Sequence, residues 1–249
     1  MTPPDVTAIN RQFYDALWWK ARLQRPDRFN TWPMVSALLP SAPSRLELGP
    51  GLRPRLPIAG TNFIDISTPV IEQLNARGGI ATAGRLDVLP FSDRQFNLVC
   101  AFDVIEHIED DRRLFREVSR VLEDEGVFIV SVPLHPGRWT GFDALVGHAR
   151  RYEPSCLLAI LADNRLIVEK SAAFGMQPAN PRLVDYGMQW LERHRDWAMF
   201  WYNRVGLPLA MLFQKRLELE NGFMDPTNVD EMVLLCRLNR RGIRCAWEG

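Results

Sequence analysis

Lysine is nearly missing from this chain. Only Lys20, Lys170 and Lys215 occur among 30 basic residues, the rest being Arg, a bias that reads as the composition of a GC-rich genome. Nor is there an excess of either charge sign: 30 acidic side chains meet the 30 basic ones, for a formal net charge of +0. The basic surplus of a dedicated nucleic-acid binder is therefore lacking, and no nucleic-acid partner is expected. The four cysteines (Cys100, Cys156, Cys236, Cys245) show no C-x-x-C or C-x-H spacing. That argues against a structural metal centre or a disulfide framework, and for a reducing compartment. Long apolar runs are missing too. The first 20 residues contain no signal-peptide apolar stretch, and the longest run, residues 197–213, is broken by Asn203 and Arg204 and is too short to span a bilayer. A soluble, cytoplasmic protein without a transmembrane segment is the expectation.

What is present is a regular alternation. Short apolar runs at residues 45–48, 62–66, 80–83, 96–102 and 127–132 are separated by amphipathic stretches at 69–76 and 110–122. Strands alternating with helices of this length imply a parallel sheet with crossover connections. The spacing predicts an α/β chain with a Rossmann-like, mostly parallel sheet of about seven strands. Residues 1–44 are assigned to an N-terminal helical cap, with a helix over 7–24 and another over 31–39. The core covers 45–175, a helical insertion 176–225, and the last strand (230–238) and tail 226–249. Residues 133–154 lack periodicity. At that length an unstructured connection is usually functional, and it reads as an active-site lid.

Gly49 and Gly51 follow the first strand, where glycine lets backbone approach a ligand. A dinucleotide fingerprint needs a third glycine at position 54, which is Pro54, so NAD binding is disfavoured. No phosphate-binding G-x-x-x-x-G-K occurs either. Glu47 lies on the first strand, Asp65 at the end of the second and Asp87 after the third. Three acids in this order converge on the crevice at the carboxyl ends of the strands, where open α/β sheets take their ligands. The ligand they suit is nucleoside-like and cationic, with no polyphosphate.

The runs Leu46-Glu47-Leu48-Gly49-Pro50-Gly51, Phe63-Ile64-Asp65-Ile66-Ser67, Asp87-Val88-Leu89-Pro90-Phe91 and Phe102-Asp103-Val104-Ile105-Glu106-His107-Ile108 resemble the successive motifs of class I S-adenosylmethionine-dependent methyltransferases, in their small-molecule, type 11-like branch. The resemblance implies S-adenosyl-L-methionine as cofactor. It further implies that Glu47 serves the methionine amino group, that Gly49 and Gly51 pass under the cofactor, and that Asp65 binds the ribose hydroxyls. Ile66 would pack on adenine, Asp87 and the Val88 amide would bond the adenine edge, and Phe102 would lie beside the methionine moiety. Trp18 and Arg22 are further candidates near its carboxylate. The chain departs from the family at Arg53, where a third glycine is usual, and at Pro54 and Pro57, which leave the first crossover helix shortened or missing.

On the acceptor side, His107 is a candidate base, since imidazole titrates near neutral pH. Gly147-His148-Ala149-Arg150-Arg151-Tyr152 recurs in methyltransferases that resemble this chain. It offers His148 and Tyr152 as catalytic groups and Arg150 and Arg151, with His135 and Arg138, as binders of an acidic acceptor. No metal ligand set is read from the spacing. The aromatic residues Tyr186, Trp190, Trp197, Phe200, Trp201, Tyr202 and Phe213 read as a cap over a lipid-like acceptor, a homodimer surface or a peripheral membrane contact. The expected activity is methyl transfer to a small-molecule or lipid-linked acceptor, at oxygen by preference. Transfer to nitrogen, and an inert cofactor-binding scaffold, are the alternatives.

Overall fold

Four-residue strands open the core. The computed structural model describes residues 21–175, 201–206, 211 and 214–239. Within them, β1 (Arg45–Leu48) and β2 (Asn62–Asp65) bury their last three residues, as central parallel strands must. With β3 (Ile80–Ala83), β4 (Phe96–Ala101) and β5 (Leu122–Pro133) they form the parallel part of the sheet in the order β3-β2-β1-β4-β5. β8 (Glu231–Leu238) runs antiparallel to β5 and carries β6 (Leu166–Ala173) and then the two-residue β7 (Glu220–Asn221). The sheet thus has eight strands rather than about seven; β7 is too short and too polar to show in a hydrophobic pattern.

Period-two alternation along β4 and β5 divides the core. Phe128, Val130, Val132 and Ala101 face one side, while Leu98, Cys100, Val127 and Ile129 face the other. The first face is covered by α3 (Asp111–Val121), through Leu114, Phe115, Val118 and Val121, and by α5 (Pro154–Asp163). The second is covered by α1 (Trp32–Leu38), through Met34 and Val35. α2 (Thr68–Asn75) packs Val70 and Leu74 against Leu52 and Phe63. α3 starts where predicted because the Asp110 side chain accepts from the Arg113 amide at 3.0 Å. β5 begins five residues earlier than predicted. Leu122 pairs with Phe96 and Val127 with Leu98, so residues 123–126 bulge out between two registered pairs.

No helix joins β1 to β2, as Pro54 and Pro57 dictate. The predicted N-terminal helix over 7–24 lies outside the described residues up to 20, and residues 21–25 have no regular structure. The predicted helical insertion is described only at 201–206, 211 and from 214 on, where Trp201 is exposed. Trp18, Tyr186, Trp190, Trp197, Phe200 and Phe213 lie outside the described residues, and so do the cap and dimer readings built on them. Among the described residues no helix is long and apolar enough to cross a membrane.

Candidate functional site

The carboxyl edge of β1 and β2 is shaped by two left-handed glycines. Gly49 (φ 57°) donates to the Ile64 carbonyl at 2.9 Å, and a Cβ on it would meet Val104 Cγ2 at 2.5 Å. Gly51 (φ 52°) turns its amide onto Asp65 Oδ2 at 3.1 Å, while Asp65 Oδ1 accepts from the Ser67 amide at 2.9 Å. The Asp65 carboxylate therefore fastens the glycine turn to the end of β2. Beside it Ile66 is 42% exposed, and beyond β3 Val88 is 46% exposed. These are two half-open apolar side chains in an edge that otherwise buries its hydrophobics. Asp87 is buried at its base and paired with Arg85 at 2.7 Å, and that hydrogen-bonded guanidinium holds its carboxyl below the usual range despite burial.

Glu47 is fully buried on β1. Its oxygens accept from the Arg55 amide (2.8 and 3.1 Å) and the Leu56 amide (2.9 Å). Burial pushes its carboxyl up to about 7, against the lowering effect of those amides and the Arg55 charge. Its carboxylate serves the backbone of the proline-rich connection, doing the work the missing crossover helix would have done. The Arg55 guanidinium is buried over the Phe29 ring, with Nε and Nη1 having no hydrogen-bond partner among the described residues. Phe102 closes β4 beside it, buried against Phe174.

After β4 the chain turns through Asp103 (φ 53°), a left-handed aspartate whose amide donates to Ser131 Oγ at 2.8 Å. Such a conformation costs energy in a non-glycine residue and is held by its surroundings. The 3-10 turn Ile105–His107 follows and buries Glu106 and His107. Burial raises the Glu106 carboxyl well above its ordinary range, with Asp103 adding to it. His107 Nδ1 lies 3.0 Å from the Gly147 carbonyl; burial first, and then neighbouring His148, depress the imidazole to about 3.

Residues 133–154 fold as a fixed wall. The short α4 (Gly141–Val146) is closed by a capping box between Thr140 and Asp143 and ends at left-handed Gly147. The wall is tied down by Ala149 N to Glu106 O (2.7 Å), His135 N to Tyr152 O (2.8 Å) and Tyr152 N to Pro133 O (2.8 Å). So many tethers leave it unlike the swinging lid that its length suggested. Asp143 is its anchor, fully buried and accepting from His148 Nδ1 (2.8 Å), Arg151 Nε and Nη2 (2.9 and 3.0 Å), and Thr140 N and Oγ1 (2.7 and 2.8 Å). Although burial alone would raise it, these donors hold its carboxyl far below the usual range.

The structure brings His107 and His148 together, with ring centroids 4.7 Å apart. It places the other acceptor-side candidates on partners within the protein. Arg151 is buried on Asp143, Arg150 pairs with Asp111 at 2.5 Å, and Arg138 pairs with Asp230 at 2.7 Å. His135 Nε2 meets the Pro226 carbonyl at 2.8 Å. The buried Tyr152 hydroxyl donates to Asp111 at 2.9 Å, and burial together with that carboxylate raises its pKa. Sequence reasoning left Glu106 without a role and overlooked Asp143 and Arg55. Asp143 does leave a trace, five residues before His148; Arg55 leaves none.

Residues 55–130 match a family model described as "Methyltransferase domain". Over 79 residues the chain is 37% identical to a probable S-adenosylmethionine-dependent methyltransferase of Mycobacterium tuberculosis (strain CDC 1551 / Oshkosh), covering 30% of this chain and 28% of that protein. The match thus spans under a third of that relative's length. Among solved structures, an S-adenosylmethionine-dependent methyltransferase from Thermotoga maritima, described as a possible histamine N-methyltransferase, superposes with a TM-score of 0.57 at 14% identity, over 94% of this chain and 96% of that one. One from Mesorhizobium loti gives 0.52 at 16% identity, over 86% and 100%. At such identities the structural likeness establishes the fold. The family model takes in three of the four motif runs, 63–67, 87–91 and 102–108, while the glycine run 46–51 lies before it.

Proposed function

We propose, from a chain whose residues 55–130 match the methyltransferase-domain family, that it transfers a methyl group from S-adenosylmethionine to an oxygen of a small-molecule acceptor. The observation that carries the reading is the Gly51–Asp65 fastening at the carboxyl edge, flanked by half-exposed Ile66 and Val88. It puts a turn too tight for side chains, a fixed carboxylate and two half-exposed apolar side chains at one edge of the sheet, which suits a nucleoside. The residues fit the cofactor. Asp65 would take the ribose hydroxyls, Ile66 and Val88 the faces and edge of adenine, and Asp87 its amino group. Gly49 and Gly51 supply the close approach, and Phe102 borders the methionine end. Buried Arg55, with two nitrogens lacking a hydrogen-bond partner among the described residues, offers a charge-assisted bond to a carboxylate there. Asp103, part-exposed and 3.8 Å from the Arg55 guanidinium, suits the cationic end of such a ligand.

When bound, the cofactor supplies an electrophilic methyl group on a sulfonium. The chain's own residues must then orient the acceptor, exclude water and deal with the acceptor's proton. An alcohol is a poor nucleophile until that proton is relieved, and His148, aimed by Asp143, stands with His107 next to the turn that ends β4. This pair is why oxygen is preferred over nitrogen. Tyr152, Arg150, Arg151, Arg138 and His135 build the wall behind the acceptor, and through it they set the shape of the acceptor space.

Calorimetric titration with S-adenosylmethionine and S-adenosylhomocysteine tests the reading. Wild type is expected to bind both, and Asp65→Asn to lose at least tenfold, about 1.4 kcal/mol. No binding of either ligand to folded wild type would overturn it.

A further inference from the structure

The cluster of Glu106, His107 and His148 goes beyond a pair of imidazoles. We propose that these three side chains form a binding site for one divalent first-row metal ion, zinc in the first instance, with a coordination position left for an oxygen ligand. No spacing in the sequence announces it, because His148 arrives from another segment, 41 positions after His107. The fold closes that gap through the Ala149 amide, which donates to the Glu106 carbonyl at 2.7 Å. One ligand-type atom from each of the three side chains then lies within 4.8 Å of the others.

Contacts to Gly147 and Asp143 set both imidazoles in the tautomer a metal requires. A carbonyl can only accept, so the 3.0 Å contact with the Gly147 oxygen puts the proton of His107 on Nδ1. The Asp143 carboxylate, already accepting from Arg151 and Thr140, takes the Nδ1 proton of His148 at 2.8 Å. In each ring Nε2 is therefore the lone-pair nitrogen. A carboxylate–histidine or carbonyl–histidine relay of this kind is the usual support of metal-ligating imidazoles. His148 Nε2 stands 3.7 Å from Glu106 Oε1, too far for a hydrogen bond. Two donors each about 2.1 Å from a tetrahedral ion lie about 3.4 Å apart, which this pair matches with little adjustment.

Glu106 supplies the independent sign. Its Oε2 is buried and has no hydrogen-bond partner among the described residues, and an unmet buried carboxylate oxygen is costly. A cation between Glu106 and the two imidazoles answers that cost, where a further imidazole proton would not reach. Two nitrogens and one carboxylate suit zinc or another borderline first-row ion, and three protein ligands leave a position open. The site lies on the turn leaving β4, beside Phe102 and Asp103. If the methyl-transfer reading holds, an acceptor hydroxyl on the ion would give up its proton to solvent water more readily, the two imidazoles then serving as ligands and not as the base. That role rests on the proposed function; the binding of the metal does not.

The test uses the full chain, stripped with a chelator and dialysed, then titrated with zinc against a chromophoric competitor. Cobalt(II) serves as a spectroscopic substitute. One equivalent of zinc should bind, and cobalt should give the visible bands of a tetrahedral nitrogen–oxygen site. Glu106→Gln and His148→Asn should each weaken zinc at least about 100-fold, while Cys156→Ser, which removes an exposed thiol, should leave it unchanged. If one variant does not fold, the other still decides, and the wild-type cobalt spectrum needs neither. Absence of stoichiometric zinc in wild type, or retention of wild-type affinity in both variants, overturns the site. Zinc binding without S-adenosylmethionine binding would keep the site and remove the methyl-transfer reading; turnover in metal-free protein would keep both the site and that reading and remove only the metal's part in the reaction.

Discussion

Glu47 and His107 are both buried, and burial moves them in opposite directions. With the Glu47 carboxyl pushed up to about 7, the folded chain holds a proton that the unfolded chain has lost from about pH 4.5 upward, so this residue makes stability fall as pH rises to 7. With His107 depressed to about 3, the unfolded chain takes up a proton below about pH 6.5 that the folded chain refuses, so stability falls as pH drops from 6.5 to 3. Between pH 4.5 and 6.5 the two slopes oppose each other. Each can reach about 1.4 kcal/mol per pH unit. Denaturation of Glu47→Gln across this window should therefore fall off more steeply with acid than wild type, and that of His107→Asn less steeply. Parallel curves for all three proteins would show that neither group titrates as its burial dictates. Gly49 is decided by space as well as by φ. In Gly49→Ala the new Cβ meets Val104 Cγ2 at 2.5 Å on a left-handed backbone, and a loss of roughly 1–3 kcal/mol in chemical denaturation is expected.

At the scale of elements, α4 and its flanks depend on one carboxylate. Asp143→Asn keeps the shape but removes the charge that faces Arg151, His148 and the Thr140 amide together. A buried arginine left without its partner costs about 3–5 kcal/mol, measurable by denaturant unfolding; a loss below 1 kcal/mol would mean that Asp143 is no anchor. The strands and the long helices were legible in the sequence for a simple reason. β1, β2, β4 and β5 are buried on both faces and so read as apolar runs, and α3 repeats Leu114, Val118 and Val121 down one side. The edge proposed for the nucleoside was legible as an edge because its acids and glycines sit at strand ends, where sequence order and spatial order agree. The acceptor side was not. His148, Asp143 and Glu106 meet across some 40 residues, and Arg150, Arg151 and Tyr152 look like ligand groups until their partners Asp111 and Asp143 are seen. β7 is two polar residues, and α4, at six residues, is under two turns, so neither is long enough to show a period.

For the molecule as a whole, the two proposed ligand sites share one edge of the sheet, and that edge is built from the loops closing β1, β2 and β4. Those loops are fixed by polar contacts, such as Gly51 to Asp65 and Ser131 to Asp103, rather than by apolar burial. A ligand that engages them binds the folded state alone and adds its binding energy to global stability. At 100 times its dissociation constant the gain is about 2.7 kcal/mol. For a chain of this size each kcal/mol raises the melting temperature about 2–4 °C. S-adenosylmethionine should therefore raise the melting temperature of wild type by roughly 5–10 °C at that concentration. Asp65→Asn, with a tenfold weaker site, should keep only about half of the shift at the same concentration. Glu106→Gln, which leaves the Asp65 side intact, should keep nearly all of it, while losing the separate shift that zinc gives wild type. Differential scanning fluorimetry with each ligand alone reads all of these shifts. Loss of the S-adenosylmethionine shift in Glu106→Gln would mean that the nucleoside crevice and the histidine cluster are one site rather than neighbours across the end of β4.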